Sequence, residues 1–172
     1  LTHKGPLPGS PFGDILIYGP ALYVSDADIT EYCNQAVDFR KYCRQLFSQG
    51  TDFETRLTEV LGAMSGDRPV ELPVTSEGYA YTPTTIRVLE PGQDMGWHFE
   101  NQFLHCTPGY RHLSTIVEPE DHLSYFVVLS AADAGGELVL YDLEWSETEW
   151  PDKEHGGIRK NGLVNGKLIA SV

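Results

Sequence analysis

The sequence has no long apolar run and few basic residues, and each shortage argues against a class of protein. None of its apolar runs approaches the roughly 20 residues that a membrane-spanning helix needs. Lysine and arginine together number 12 against 25 aspartates and glutamates, so the formal net charge is −13. That charge argues against nucleic acid and against anionic membrane surfaces as partners, because both attract basic proteins. It does not exclude a small anionic ligand, which a few local positive groups can hold.

The cysteine content is low and odd in number. Cys33, Cys43 and Cys106 include no Cys-x-x-Cys pair, so neither a disulfide framework nor a cysteine zinc site is expected. We interpret the three as small buried thiols of a protein in a reducing compartment. No basic-then-apolar leader opens the sequence, and we expect a cytoplasmic location. We also expect the natural chain to continue past Val172, because the sequence stops within an apolar run.

The chain of 172 residues suits a single domain with a sizeable core. Its N-terminal part, about residues 25–65, is predicted to be helical, because apolar residues recur at helical spacing in two segments separated by Gly50. Ser25 and Asp28 fit a capping box at the start of the first helix. Gly66 fits the end of the second helix.

From about residue 77 onward the pattern changes to strands and turns. "YAYTPTTIRVLEPG" predicts a strand that stops at Pro91-Gly92, and "GWHFENQFLH" predicts another short strand. "HLSYFVVLSAADAGGELVLYDLEW" predicts a strand, a turn and a strand, whereas "CTPGY" and the polar "SETEWPDKEHGGIRKNG" predict loops. Helices followed by strands without intervening helices indicate an α+β fold.

A histidine and a glutamate, His98 and Glu100, stand one residue apart in the strand predicted after the Pro-Gly turn. Because side chains alternate between the faces of a strand, the two are expected to project from one face. An imidazole and a carboxylate can hold two adjacent positions of one divalent metal. A second histidine would complete the facial triad of non-haem Fe(II) oxygenases. Such a pair also occurs by chance, so the pair alone leaves a partnered surface histidine as the alternative.

The segments around this pair follow a distinctive order. "TIRVLEPGQDMGWHFEN" is followed by "LSYFVVLSAADAGGELVLYDLEW", from about Thr84 to Trp145. The succession of strand, His-x-Asp/Glu, strand and Gly-Gly-Glu-Leu turn resembles the core of the Fe(II)/2-oxoglutarate-dependent oxygenases. "GGELVLYDLEW" is especially similar to the branch that tailors small molecules and includes stand-alone hydroxylases and halogenases. The resemblance implies a double-stranded β-helix, also called a jelly roll, over about residues 77–172, with the N-terminal helices packed on it.

The resemblance also implies a site and a chemistry. It assigns His98 and Glu100 as catalytic ligands of Fe(II), with 2-oxoglutarate and O₂ as co-substrates. In that family 2-oxoglutarate is converted to succinate and CO₂ while an unactivated C–H bond of the substrate is oxidised, usually by hydroxylation. The implied substrate is a small molecule such as an amino acid or a secondary metabolite. Related halogenases have Gly or Ala at the carboxylate position so that halide can reach the iron, and Glu100 therefore argues against halogenation.

Two parts of the expected site are not found. The family has a distal histidine ligand on a later strand, followed by a basic residue that pairs with the far carboxylate of 2-oxoglutarate. His155 lies in a polar stretch instead of a strand, and we interpret it as a solvated loop histidine. We interpret His105, His112 and His122 as surface or core histidines. The missing strands are expected beyond Val172 or in another chain.

Alternation also predicts which side chains line the pocket. Ile86 and Val88 share a face of "TTIRVL", and we assign them, with Ser124 of "LSYFVVLS", to the substrate pocket. Phe126 and Val128 share the face of Ser124 and are expected beside the co-substrate. An ordinary core role is the alternative for each of them. Arg87 is expected to point the other way.

Two other functions stay open. A cupin-like metalloenzyme that does not use 2-oxoglutarate has a similar Pro-Gly turn and His-rich strand, although cupins typically carry His-x-His. A catalytically inactive jelly-roll binding module with a vestigial pair is the other alternative. A requirement for 2-oxoglutarate distinguishes the first, and metal binding distinguishes the second.

Overall fold

The computed structural model describes residues 15–25, 28–46, 49–50, 52–95, 98–101, 103–104, 107–119, 122–142, 151–152, 157–158 and 167–171. Within these ranges the chain combines helices with small antiparallel sheets, as an α+β fold requires. The elements are β1 (Leu16–Tyr18), a 3₁₀ turn (Leu22–Val24), α1 (Thr30–Leu46), α2 (Phe53–Met64), β2 (Ile86–Val88), α3 (Pro108–Leu113), β3 (Val139–Asp142), β4 (Pro151–Asp152), β5 (Gly157–Ile158) and β6 (Lys167–Ser171). No helix in the described part of the chain is long and apolar enough to cross a membrane.

The first predicted helix forms, but it begins later than the proposed cap. Asp28 Oδ1 accepts a hydrogen bond from the backbone N–H of Thr30 at 2.9 Å, and α1 starts there. Ser25 Oγ instead donates to the carbonyl oxygen of Ala21 at 3.1 Å, across the preceding 3₁₀ turn. The prediction that Ser25 caps α1 is therefore wrong, because the helix begins only at Thr30, where Asp28 accepts the first N–H.

The second predicted helix, α2, is capped by Asp52, whose side chain accepts a hydrogen bond from the Thr55 N–H at 3.2 Å. Gly66 has φ +74° just after the helix, a conformation that favours glycine, so the predicted end is confirmed. Arg40 of α1 and Glu54 of α2 form two hydrogen bonds of 2.6 Å each. This bidentate, largely buried ion pair joins the two helices.

The buried face of α1 packs against the segment that leads into β2. Cys33 and Ala36 form one buried cluster with Tyr32 and Tyr81. The Tyr32 hydroxyl accepts a hydrogen bond from the Thr82 N–H at 3.3 Å, which fixes the segment on the helix. Burial raises the pKa of the Cys33 thiol, which is free and buried, as predicted.

The cysteine prediction also holds for Cys43, which is free and buried. Cys106 lies outside the described residues.

β1 and β2 form an antiparallel pair in which Ile17 lies opposite Arg87. Ile86 and Val88 are both half-buried, while Arg87 between them is exposed. The alternation predicted for this strand is therefore confirmed, and Arg87 points the other way.

The predicted strands of the second half form only in part. β3 confirms the strand of "GGELVLYD", and it pairs antiparallel with β6. β4 and β5 form a small antiparallel pair where a loop was predicted. α3 also replaces a predicted loop, because Pro108 stands at the first helical position, where its missing N–H costs nothing.

Two predicted strands are absent from the described residues: 98–101 and 122–128 form no strand there. Their residue types favour an extended chain, but a ladder also needs a second strand within hydrogen-bonding distance. The described sheets are the three pairs β1–β2, β3–β6 and β4–β5. The double-stranded β-helix therefore stays a prediction.

α3 packs against the 3₁₀ turn at Gly109, where the two backbones approach closely. A β-carbon on Gly109 would lie 2.4 Å from the carbonyl oxygen of Leu22. Residues with side chains therefore cannot occupy this position without moving the turn. The next residue, Tyr110, packs against a buried cluster of Ile15, Ile17 and Phe103. The close approach at Gly109 thus helps to position Tyr110 against that cluster.

We expect Gly109→Ala to lower the free energy of unfolding by about 1–3 kcal/mol, the usual cost of overpacking. Urea unfolding followed by circular dichroism measures the effect. Gly50→Ala is the matched control, because no heavy atom lies within 4 Å of a β-carbon built there. Equal stability of the two variants would contradict the close approach.

Candidate functional site

A fixed turn ends β2 and directs the chain toward His98. The backbone N–H of Gln93 donates to the Glu90 carbonyl at 2.9 Å, and the Gln93 side-chain oxygen accepts from the Glu90 N–H at 2.7 Å. Gly92 within the turn has φ +86°, which favours glycine. The turn predicted at Pro91-Gly92 is therefore confirmed, and its two reciprocal hydrogen bonds determine how the chain leaves the strand.

The side chains of His98 and Glu100 lie next to each other although no strand carries them. His98 Nε2 is 3.5 Å from Glu100 Oε1. A turn begins at Glu100, so local turn geometry, and not strand alternation, brings the two groups together. The His98 side chain is 20% exposed and that of Glu100 is 59% exposed. The imidazole is thus largely buried, while the carboxylate remains accessible.

These two donor atoms fit a single divalent ion. Two ligand atoms about 2.1 Å from an ion and at right angles to each other lie about 3.0 Å apart. At ligand distances of 2.1 Å the observed 3.5 Å corresponds to an angle of about 113°, and bringing the two atoms about 0.5 Å closer gives the right angle. An imidazole nitrogen and a carboxylate oxygen are also the donor types of non-haem iron sites. The described residues contain no group of three or more His, Cys, Asp or Glu that could hold a metal ion.

Ser124 contacts the other oxygen of the same carboxylate. Its Oγ donates a hydrogen bond to Glu100 Oε2 at 2.8 Å. The two carboxylate oxygens therefore have different partners, with Oε1 facing His98 and Oε2 bonded to Ser124. The contact joins the turn at Glu100 to the segment 122–128, 24 residues further along the chain. Ser124 was predicted as a substrate-pocket residue, and that role stays a prediction; what the structure shows is its hydrogen bond to Glu100.

The electrostatics of the site favour an ionised Glu100. The hydrogen bond with His98 is the largest cause that lowers the pKa of Glu100 to about 2. The bond from Ser124 and the positive charges of His98 and Arg87 act in the same direction, whereas burial opposes them. A carboxylate with this pKa is negatively charged at all physiological pH values and accepts hydrogen bonds or metal ions.

An apolar cluster supports the segment that carries the pair. Phe103 is buried and stacks on Tyr23, with ring centroids 5.2 Å apart. Tyr110 packs against the same cluster, and its pKa is raised by burial and by the negative charge of Glu100. Sequence reasoning missed Tyr23, Phe103 and Tyr110 as neighbours of the site. No local pattern marks them, because they come from a 3₁₀ turn, a loop and an unpredicted helix.

The other predicted pocket residues are less enclosed. Ile86 and Val88 are half-buried on one face of β2. Phe126 is 63% exposed and Val128 is 62% exposed, so the structure does not bury them. Because residues 122–128 form no strand among those described, the alternation that grouped these two with Ser124 does not apply. Their roles beside a co-substrate, like those of Ile86 and Val88 beside a substrate, stay predictions.

The remaining histidines that the structure describes differ in their hydrogen bonding. His112 Nδ1 is 2.6 Å from the Tyr81 hydroxyl, within hydrogen-bonding distance, so His112 is a partnered structural histidine, as predicted. His122 is half-buried, and its Nδ1 has no hydrogen-bond partner in the described part of the chain. His105 and His155 lie outside the described residues.

Comparison with known proteins gives one match across the chain. The sequence matches the family model described as "Carrier-protein-independent halogenase WelO5" over residues 1–172. No curated protein matches it. The matched range includes His98, Glu100 and Ser124.

The lowered pKa of Glu100 predicts a pH-dependent contribution to the stability of the metal-free protein. Its pKa falls from 4.5 to about 2 on folding, so its contribution is complete above 4.5 and is lost as the pH falls toward 2. The contribution is small, because the side chain is exposed. We expect the stability difference between wild type and Glu100→Gln to shrink as the pH falls from about 5.5 to about 3. Urea unfolding at each pH measures it, and a constant difference would contradict the prediction.

Proposed function

Since the chain belongs to the carrier-protein-independent halogenase family, we propose that it oxidises an unactivated C–H bond of a free small molecule, and that the outcome is hydroxylation. Enzymes of this family depend on Fe(II), 2-oxoglutarate and O₂. The family acts on substrates that no carrier protein holds. An amino acid or a secondary metabolite has the right size and, given the acidic chain, is favoured over a nucleic acid. The cytoplasmic location stays a prediction.

We assign His98 and Glu100 as two of the protein ligands of the iron. His98 would bind through Nε2 and Glu100 through Oε1, the two atoms that lie 3.5 Å apart. When bound, the iron couples the oxidative decarboxylation of 2-oxoglutarate to oxidation of the substrate. Phe103, close to the pair in sequence, is buried in the cluster with Ile15 and Ile17. A third protein ligand has to come from residues other than those described.

Glu100 is the observation that supports hydroxylation over halogenation. In related halogenases a Gly or Ala leaves this position open for halide. Here the position carries a carboxylate whose pKa of about 2 keeps it ionised. An anionic oxygen beside His98 competes with halide for the metal and repels it. Halogenation is the second candidate, and the family's own description favours it.

We propose the double-stranded β-helix, over about residues 77–172, as the fold around this site. The antiparallel pairs β1–β2 and β3–β6 are compatible with such a fold. The family match supports a 2-oxoglutarate-dependent enzyme over a cupin-like enzyme that does not use this co-substrate.

We expect His98→Ala to abolish succinate formation from 2-oxoglutarate with Fe(II), because the variant lacks one of two adjacent ligands. Succinate release by wild type and variant measures this. His112→Asn is the matched control, since its amide can still reach the Tyr81 hydroxyl and the residue lies in the helix α3. Equal turnover by wild type and His98→Ala would remove the assignment.

Succinate release and metal binding together separate the alternatives. Mn(II) binding by the wild type without succinate formation from 2-oxoglutarate would favour the cupin-like enzyme. Absence of Mn(II) binding by the wild type in isothermal titration would favour the inactive binding module.

We expect Glu100→Gly to give chloride access to the metal. The absorption band of the Fe(II)–2-oxoglutarate complex should then shift with chloride in this variant and not in the wild type, because the competing carboxylate is gone. Glu100→Gln is the control that removes the charge and keeps the volume. A chloride-dependent shift in the wild type would contradict hydroxylation and favour halogenation.

A further inference from the structure

We propose that Ser124 is a positioning residue that holds Glu100 as a ligand through one oxygen. This inference rests on the proposed iron site and adds to it a residue that acts through the ligand. The hydroxyl of Ser124 occupies Glu100 Oε2 and leaves Oε1 free to face His98 Nε2.

The geometry of the carboxylate carries this inference. Oε2 accepts a hydrogen bond of 2.8 Å from Ser124 Oγ, and Oε1 is the oxygen 3.5 Å from His98 Nε2. A hydroxyl that donates to one oxygen of an ionised carboxylate makes a charge-assisted bond, which is stronger than a bond between neutral groups. The two oxygens are therefore already inequivalent in the absence of a metal.

The Glu100 side chain needs a hydrogen-bond partner that restricts its rotamers. This side chain has one more rotatable bond than an aspartate would have, and 59% of it is exposed. Packing therefore leaves several rotamers open to it. A hydrogen bond from a separate segment selects the rotamer in which Oε1 faces the imidazole.

The segment that carries Ser124 is itself anchored. The hydroxyl of the next residue, Tyr125, donates to the carbonyl oxygen of Pro83 at 2.6 Å. Pro83 lies in the chain that leads into β2, which is paired with β1. Ser124 is thus exposed and yet held in place through its neighbour, so its hydroxyl can restrain Glu100.

One-oxygen binding matters for the number of open positions at the metal. An octahedral ion has six positions, and a facial triad of three donor atoms leaves three. The co-substrates 2-oxoglutarate and O₂ would need those positions. A Glu100 that bound through both oxygens would take one of them, so the Ser124 bond keeps the position available.

The test compares Mn(II) binding by wild type, Ser124→Ala and Ser124→Thr, using isothermal titration for affinity and electron paramagnetic resonance for the ligand geometry. We expect Ser124→Ala to bind Mn(II) about tenfold more weakly, the lower end of the loss seen when the partner of a ligand is removed. Its resonance spectrum should change as well. Ser124→Thr keeps a hydroxyl and should restore both.

Ser76→Ala is the matched control. Ser76 Oγ donates to Glu77 Oε1 at 2.6 Å, so this variant removes the same kind of exposed Ser–Glu bond from another part of the chain. It should leave Mn(II) affinity and spectrum unchanged. Circular dichroism of all four proteins checks that each is folded.

The outcomes separate this inference from the proposed function. Wild-type affinity and spectrum in Ser124→Ala, with normal binding by the wild type, would overturn the role of Ser124 and leave the iron site standing. Failure of Ser124→Thr to restore binding would show a general effect of substitution and would also overturn it. Failure of the wild type itself to bind Mn(II) would overturn the iron site, and the inference with it.

Discussion

The site depends on one two-sided interaction, the contact of the Glu100 carboxylate with His98 through one oxygen and with Ser124 through the other. Each contact joins the turn to a different group, and the two together keep the carboxylate ionised and oriented. Without the first, the proposed pair of metal donors would not form. Without the second, an exposed glutamate has no fixed rotamer. The positive charge of Arg87, on the strand that leads into the turn, also lowers the pKa of Glu100.

Three consecutive residues before β2 connect distant parts of the chain to the strand that leads to this interaction. Each of them makes a hydrogen bond through a different atom to a different part of the chain. The Tyr81 hydroxyl bonds His112 of α3, the Thr82 N–H bonds Tyr32 of α1, and the Pro83 carbonyl accepts from Tyr125. These bonds span from 31 to 50 positions in sequence. A short stretch of chain thus ties two helices and the Ser124 segment to the strand that leads to the site.

Family membership favours halogenation, whereas Glu100 favours hydroxylation, and the two reactions use the same cofactors. Enzymes of the family use Fe(II), 2-oxoglutarate and O₂, and these cofactors support both hydroxylation and halogenation. On the proposed assignment, the choice depends on which atom fills the position beside His98, because a carboxylate and a halide would compete for it. One side chain would then decide the reaction within a common family.

Local sequence patterns determined the features that depend on neighbouring residues. The acidic charge, the two N-terminal helices, the turn at Pro91-Gly92 and the alternation in β2 all follow from residue type and spacing. The order of motifs around His98 and Glu100 was also sufficient to indicate the enzyme family.

Only the tertiary structure decided what depends on contacts between distant segments. The strand predicted for residues 122–128 lacks a partner among the described residues, and pairing is a property of two segments and not of one. Ser25 did not cap α1, because the helix begins only at Thr30, and Asp28 accepts a hydrogen bond from its N–H. Likewise, Ser124 was assigned to a pocket by alternation, whereas its bond to Glu100 follows from the meeting of two segments 24 residues apart. Residue types fix which hydrogen bonds are possible, but the folded chain decides which partners come within reach.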